Sequence, residues 1–131
     1  MRRAATAALL AVLALAGSCG GESGDLLAVE VSGGAEQREI RLVVTGDGQG
    51  RCNDGELERL ESERLIEARE VEREIEDLAE DGADFGGPAA DRRGYVVRTA
   101  AGTARWREGR TEPEVLGKAA LLALRLEREL C

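Results

Sequence analysis

Residues 26–45, LLAVEVSGGAEQREIRLVVT, decide the fold of this chain. Apolar residues alternate with other residues on both sides of the Gly33-Gly34 pair, at Leu27, Val29, Val31, Ile40, Leu42 and Val44. An alternation with a period of two places apolar side chains on one face of a strand, and a Gly-Gly pair permits a reversal of the chain. The stretch therefore predicts an antiparallel β-hairpin with one buried face.

A second hairpin and two helices are expected in the rest of the chain. Residues 95–99 and 103–107 flank the turn Ala100-Ala101-Gly102, and this pattern predicts the second hairpin. Apolar residues recur with helical spacing over 62–81 and again over 112–130. The order ββαββα predicts an α+β fold, in which two helices cover one face of a four-stranded antiparallel sheet.

The first nineteen residues, MRRAATAALLAVLALAGSC, resemble a bacterial lipoprotein signal that ends on the lipidated cysteine. Two arginines precede the apolar segment 4–16, which would rise only about 20 Å as a helix and is too short to span a bilayer. The resemblance implies that residues 1–18 are a signal peptide and that Cys19 carries a lipid that includes palmitate. Ordinary secretion is the alternative.

The predicted organisation therefore has three parts. Residues 1–18 form the signal peptide, residues 19–25 form the lipidated cysteine and a flexible tether, and residues 26–131 form a single α+β domain. We expect an extracytoplasmic protein that is anchored to the outer face of the bacterial cell membrane by the lipid on Cys19. The membrane is thus its first expected partner.

The cysteine count predicts one disulfide. If Cys19 carries a lipid, Cys52 and Cys131 remain as an even pair in an oxidising compartment. A disulfide across so long a loop would stabilise the fold by about 4 kcal/mol in the chain-entropy model. A redox-active or metal-binding pair is the alternative, but the spacing does not fit a CxxC motif and the chain has no histidine to complete a zinc site.

Acidic residues dominate the mature chain. Without Arg2 and Arg3, 16 basic residues stand against 26 acidic ones, which gives a formal net charge of −10. This charge argues against a nucleic-acid partner, because its phosphates would be repelled. The acids concentrate at 56–81, where twelve acids accompany four arginines. That segment is interpreted either as a docking surface for a basic partner or as a solvated helix face.

The sequence offers no set of catalytic residues. Histidine, the commonest general base, is absent, and no serine lies in a G-x-S-x-G elbow. The turn at 46–50 is rich in glycine but lacks the Lys-Ser/Thr pair of a phosphate-binding loop. We therefore expect a non-enzymatic protein without catalytic, cofactor-binding or metal-binding residues.

Short motifs are similar to those of two groups of proteins. Val31-Ser32-Gly33-Gly34 and residues 91–97, DRRGYVV, resemble emfourin-like proteins, small inhibitors of thermolysin-type metalloproteases with the same predicted layout. Ala35-Glu36 stands where that family usually has an aromatic residue. The turn RCNDG at 51–55 and the terminal cysteine resemble uncharacterised exported lipoproteins of high-GC actinobacteria, and this second resemblance implies no activity.

The leading functional prediction is a membrane-tethered module that binds an exported protein, and an emfourin-like protease inhibitor is its specific form. The candidate partner-binding loops are residues 83–93 and residues 32–36, the latter being Ser32, Gly33, Gly34, Ala35 and Glu36.

Two alternatives belong to other classes of protein. A small-molecule or ion-binding envelope domain would use a sheet face that carries Arg98, Arg105 and Arg107. A structural envelope protein without a discrete ligand is the other alternative.

Overall fold

The computed structural model describes residues 24–131. The predicted signal peptide and the predicted lipidation of Cys19 lie outside the described residues. The described chain forms an antiparallel sheet and two helices, so the α+β class is confirmed. In chain order the elements are β1 (Asp25–Gly33), β2 (Ile40–Thr45), β3 (Gln49–Cys52), β4 (Glu58–Arg59), α1 (Ser62–Glu80), β5 (Arg93–Thr99), β6 (Gly102–Arg107) and α2 (Glu114–Leu130).

The prediction of four strands is wrong, because the sheet has six strands in the order β4-β3-β2-β1-β5-β6. The additional strands, β3 and β4, lie in a segment whose glycines and polar residues favour turns. β3 nevertheless pairs with β2, where Arg51 lies opposite Val43, and β4 consists of only two residues. A strand pairs with the edge of an existing sheet through hydrogen bonds between backbone N–H and C=O groups, so its side chains need not alternate between apolar and polar. The element order is therefore ββββαββα.

β1 joins the two predicted hairpins into one sheet. It pairs antiparallel with β2 on one side and with β5 on the other, so that Val29 lies opposite both Leu42 and Val97. All three of these side chains are fully buried. Both predicted hairpins, β1–β2 and β5–β6, are present, and β1 fixes their positions relative to each other.

Both helices pack on one face of the sheet around a single core. α1 contacts β1, β5 and β6, whereas α2 contacts β2 and β3. Both helices lie within two residues of their predicted bounds, and the buried residues of α1, which are Ala68, Val71, Ile75 and Ala79, have the predicted helical spacing. Within residues 24–131, neither helix is long and apolar enough to cross a membrane.

The single tyrosine and the single tryptophan of the chain meet in this core. Tyr95 on β5 lies opposite Trp106 on β6, and their stacked rings have centroids 5.3 Å apart. Burial raises the pKa of Tyr95 above its usual value, and the carboxylate of Glu108 acts in the same direction. The scarce aromatic area of the chain is thus concentrated in one cross-strand pair.

Cys52 and Cys131 lie at disulfide distance, with their sulfur atoms 2.06 Å apart. Cys52 ends β3 near one edge of the sheet, and Cys131 follows the last residue of α2. The bond therefore connects the additional strands to the end of the C-terminal helix. Because α2 also packs on β2 and β3, covalent and packing contacts hold the same parts of the molecule together.

Removal of this bond is expected to weaken the fold. Replacing both Cys52 and Cys131 by alanine in the 20–131 domain should lower the free energy of unfolding by about 4 kcal/mol, because the unfolded chain regains loop entropy. Urea denaturation of the variant and the wild type measures this difference.

The mass of the exported protein supplies the control for the oxidation state. The intact mass should rise by about 2 Da on reduction, because two thiol hydrogens are added. Free thiols on Cys52 and Cys131 in natively exported protein would contradict the predicted structural disulfide.

Candidate partner-binding surfaces

The predicted partner-binding loop lies at the C-terminal end of β1. Ser32 and Gly33 end the strand, and residues 34–37 form the turn that follows it. Ala35 and Glu36 are exposed. The loop is therefore accessible at one end of the sheet, at the position where the chain leaves its central strand.

The second predicted loop, residues 83–93, packs against the first one. The backbone N–H of Gly34 donates a hydrogen bond to the carbonyl oxygen of Ala89 at 3.1 Å. The backbone N–H groups of Ala89 and Arg92 also donate to each other's carbonyl oxygens. Residues 89–92 therefore form a tight turn within the second loop. The structure thus brings both candidate loops into one surface, residues 32–37 and 86–92, which is called the loop tip below.

Glycines allow the two loops of the loop tip to approach closely. Gly33 has a φ of +76°, and a Cβ at this position would lie 2.6 Å from the Cβ of Pro88. A Cβ at Gly94, the first buried residue of β5, would lie 2.7 Å from the Cδ of Pro88. Both distances are shorter than real Cβ contacts, so Pro88 can occupy its place only because these residues have no side chain. The loops are held in a defined arrangement before any partner arrives.

A substitution at Gly33 tests this packing. Gly33→Ala should destabilise the domain by more than 1 kcal/mol, because it combines a positive φ with a collision at the ring of Pro88 and tight contacts with the backbone carbonyl oxygens of Ala89 and Arg92. Gly117→Ala is the matched control, since Gly117 lies in α2 with free space around it and alanine favours helices by about 1 kcal/mol.

Thermal or urea unfolding of the two variants separates the effects. The expected pattern is a loss of stability for Gly33→Ala and no loss, or a gain, for Gly117→Ala. Equal small changes in both variants would show that the loops are not packed as described.

The loop tip lies at the end of the sheet opposite the start of the domain. Gly24 precedes β1, and its carbonyl oxygen accepts a hydrogen bond from the N–H of Gly46, which follows the last residue of β2. Both residues therefore lie at the N-terminal end of β1, whereas the loop tip lies at its C-terminal end. The nine residues of β1 extend over about 30 Å between these two ends. Ala101, in the β5–β6 turn, lies at the same end as Gly24 because β5 runs antiparallel to β1.

A second surface is the side of the sheet that bears no helix. Side chains on this side alternate with the core residues of each strand, and they form two cross-strand rows, Arg51–Val43–Ala28–Arg98 and Arg41–Glu30–Val96–Arg105. Arg107 lies opposite Gly94 and shares this side. Arg98, Arg105 and Arg107, which the sequence predicts on one sheet face, therefore do lie on the same face. This side is called the arginine face below, with Arg41, Arg51, Arg98, Arg105 and Arg107 as its members.

Two members of the arginine face, Arg41 and Arg51, were not predicted from the sequence. The signal for Arg41 was available, because it stands between Ile40 and Leu42 in an alternating strand and must point away from the core. Arg51 had no such signal, because β3 shows no alternation.

Most of the charge on the arginine face is unpaired within residues 24–131. Arg98 has an ion pair with Glu30 at 3.6 Å, and the Nε of Arg107 donates to the carbonyl oxygen of Gly87 at 2.7 Å. Arg41 and Arg105 are exposed and form no ion pair with described residues. The Nε of Arg51 is buried without a hydrogen-bond partner in the described domain. A shallow cavity of about 460 Å³ follows the second row, lined by Glu30, Ser32, Glu39, Arg41, Asn53 and Val96.

Part of the acidic pattern in α1 holds the two helices together. Glu67 pairs with Arg64 and with Arg125 of α2, and Glu74 pairs with Lys118 of α2 at 3.0 Å. The hydrogen bond from Lys118 to Glu74, together with the negative charge of Glu74, raises the pKa of Lys118 above its usual value. The remaining acids of α1 face outward. The segment is therefore partly a set of interhelical ion pairs and partly an acidic surface.

Residues 24–131 contain no group of three or more metal-ligating side chains that could hold an ion. Comparison of the chain with protein-family models, with curated proteins and with solved structures gives no match.

Proposed function

We propose that the protein is a membrane-tethered, non-enzymatic module that binds an exported protein through the loop tip. The observation that supports this most strongly is the junction of the two candidate loops by the Gly34–Ala89 hydrogen bond and by Pro88. A surface that is already ordered loses little conformational entropy on binding, so more of the contact energy appears as affinity.

The position of the loop tip also suits a tethered binding module. A lipid on Cys19 would leave residues 20–24 as a tether, and five residues reach at most about 17 Å. β1 begins immediately after the tether and carries the chain to the opposite end of the sheet. The loop tip is then the part of the domain that lies farthest from the membrane, where an exported partner can approach it.

Site-specific crosslinking in cells tests this proposal. A photoreactive amino acid at Ala35 or Ala90, both exposed in the loop tip, should give a discrete adduct with one exported protein. The matched control is Ala101, which is also exposed but lies at the end near Gly24. Adducts at Ala101 alone, or none at Ala35 and Ala90, would contradict the proposed surface.

The proposed anchor has its own check. Cys19→Ala should move the protein from the membrane fraction to the soluble exported fraction, because the lipid would have no attachment site. Unchanged membrane association of this variant would contradict lipidation of Cys19.

The specific form of the proposal is an emfourin-like inhibitor of a thermolysin-type protease. The motif Val31-Ser32-Gly33-Gly34 and residues 91–97 support it, because both contribute to or border the loop tip. The purified 20–131 domain should inhibit such a protease, and Gly33→Ala should weaken inhibition by distorting the tip. No inhibition at about 10 µM domain, which bounds the binding free energy to weaker than about −7 kcal/mol, would exclude this form and leave other protein partners.

A further inference from the structure

The two broad sides of the domain carry opposite charge. One side is the arginine face. Its two cross-strand rows of side chains contain one acidic residue, Glu30, and four arginines. The other side is the outer surface of the helix layer, where α1 carries eight acids and three arginines, of which Glu67 and Glu74 pair with α2. In a layered fold these surfaces point in opposite directions, because the sheet lies between the arginine face and the helices.

The acidic side is centred on residues that share the outward face of α1. Glu63, Ile66, Glu70, Arg73 and Asp77 are spaced three or four residues apart and therefore lie on one side of the helix, which carries three carboxylates and one guanidinium group. Ile66 is 56% exposed, although it is a large apolar residue. Glu63, Glu70 and Asp77 form no ion pair within the described residues.

The arginine face has the complementary composition. Its exposed guanidinium groups lie around Val96, which is half-buried, whereas Val43 and Ala28 on the same side are covered. An isoleucine with carboxylates nearby, such as Ile66, complements a partly exposed valine that is flanked by arginines. Complementary charge combined with a small apolar contact is typical of specific but weak protein interfaces.

We propose that the arginine face of one copy docks on the outer face of α1 of a second copy, in a head-to-tail arrangement. This contact joins two different surfaces, so each copy retains one free surface of each kind and further copies can add in the same direction.

Tethering to a membrane is compatible with this arrangement. If Gly24 points toward the membrane, both broad sides of the domain face along the membrane plane, in opposite directions. Copies can then stack side by side while all their tethers remain at the same end. This lateral picture rests on the proposed anchor, whereas the contact between the two faces does not.

The expected affinity is low. The mature chain has a net charge of −10, so two copies repel each other at long range. At 0.15 M salt the Debye length is about 8 Å, which screens distant charges but leaves pairs in direct contact. Confinement of copies to one membrane raises their effective concentration and compensates for weak pairing.

Charge-reversal variants of the soluble 20–131 domain, which contains the whole described core, test the contact. Arg41→Glu with Arg105→Glu disables the arginine face, and Glu70→Arg with Asp77→Arg disables the acidic face. Arg92→Glu with Arg110→Glu, at the loop-tip end, is the control for a change in net charge. All these residues are exposed, and circular dichroism verifies that each variant is folded.

Sedimentation equilibrium provides the readout. The wild type and the control should show a mass that rises with concentration above about 100 µM in 0.15 M NaCl and falls toward the monomer in 1 M NaCl. Each face variant alone should remain monomeric. An equal mixture of the two face variants should associate, because the intact arginine face of one variant meets the intact acidic face of the other, and the two reversed faces are also complementary in charge.

Three outcomes would overturn the proposal: a monomeric wild type up to about 1 mM, a face variant that associates like the wild type, or a mixture that stays monomeric. If the wild type is monomeric but its arginine face binds a polyglutamate peptide, that face takes an acidic segment of another protein instead. Binding of inorganic phosphate or citrate alone would make it a small-anion site. None of these results affects the loop-tip proposal, which the crosslinking at Ala35 tests separately.

Discussion

The pairing of β1 with both β2 and β5 is the constraint on which the rest of the structure depends. Val29 lies fully buried between Leu42 and Val97, and this contact joins two local hairpins into one sheet. A one-residue slip of β1 would turn its core side chains toward the arginine face, so the buried residues fix the register. The same register brings Gly33 beside Pro88 and thereby creates the loop tip.

The alternation along these strands also separates the two sides of the molecule. Each core residue is followed by one on the helix-free side, which is how Arg41 comes to lie between the buried Ile40 and Leu42. The helices cover the apolar side and present acids to solvent. The period-two pattern of the strands thus produces a packed core on one side and a basic sheet face on the other, whereas the acids opposite this face come from the helical spacing of α1.

Local periodicity explains what the sequence predicts well. The hairpins and the helices follow from alternation and helical spacing, but β3 and β4 were missed because QGRC and ER have no pattern of their own. The junction between Gly34 and Ala89 was also beyond local reasoning, since it follows from the pairing of β1 with β5, far apart in the chain. The pair Cys52–Cys131 was accessible, because setting Cys19 aside as the predicted lipid attachment site leaves two cysteines and requires no knowledge of the fold.

The central claim is that β1 carries the loop tip away from the proposed lipid anchor on Cys19, and the distance of each end of the sheet from the bilayer tests it most directly. The protein with the proposed lipid on Cys19, inserted in vesicles, would carry a fluorescent amino acid at Ala35 or at Asp47, both exposed but at opposite ends of the sheet. Energy transfer to acceptors on lipid headgroups should be strong from position 47 and weak from position 35, because β1 spans about 30 Å. Equal transfer from both positions, or stronger transfer from position 35, would contradict the account.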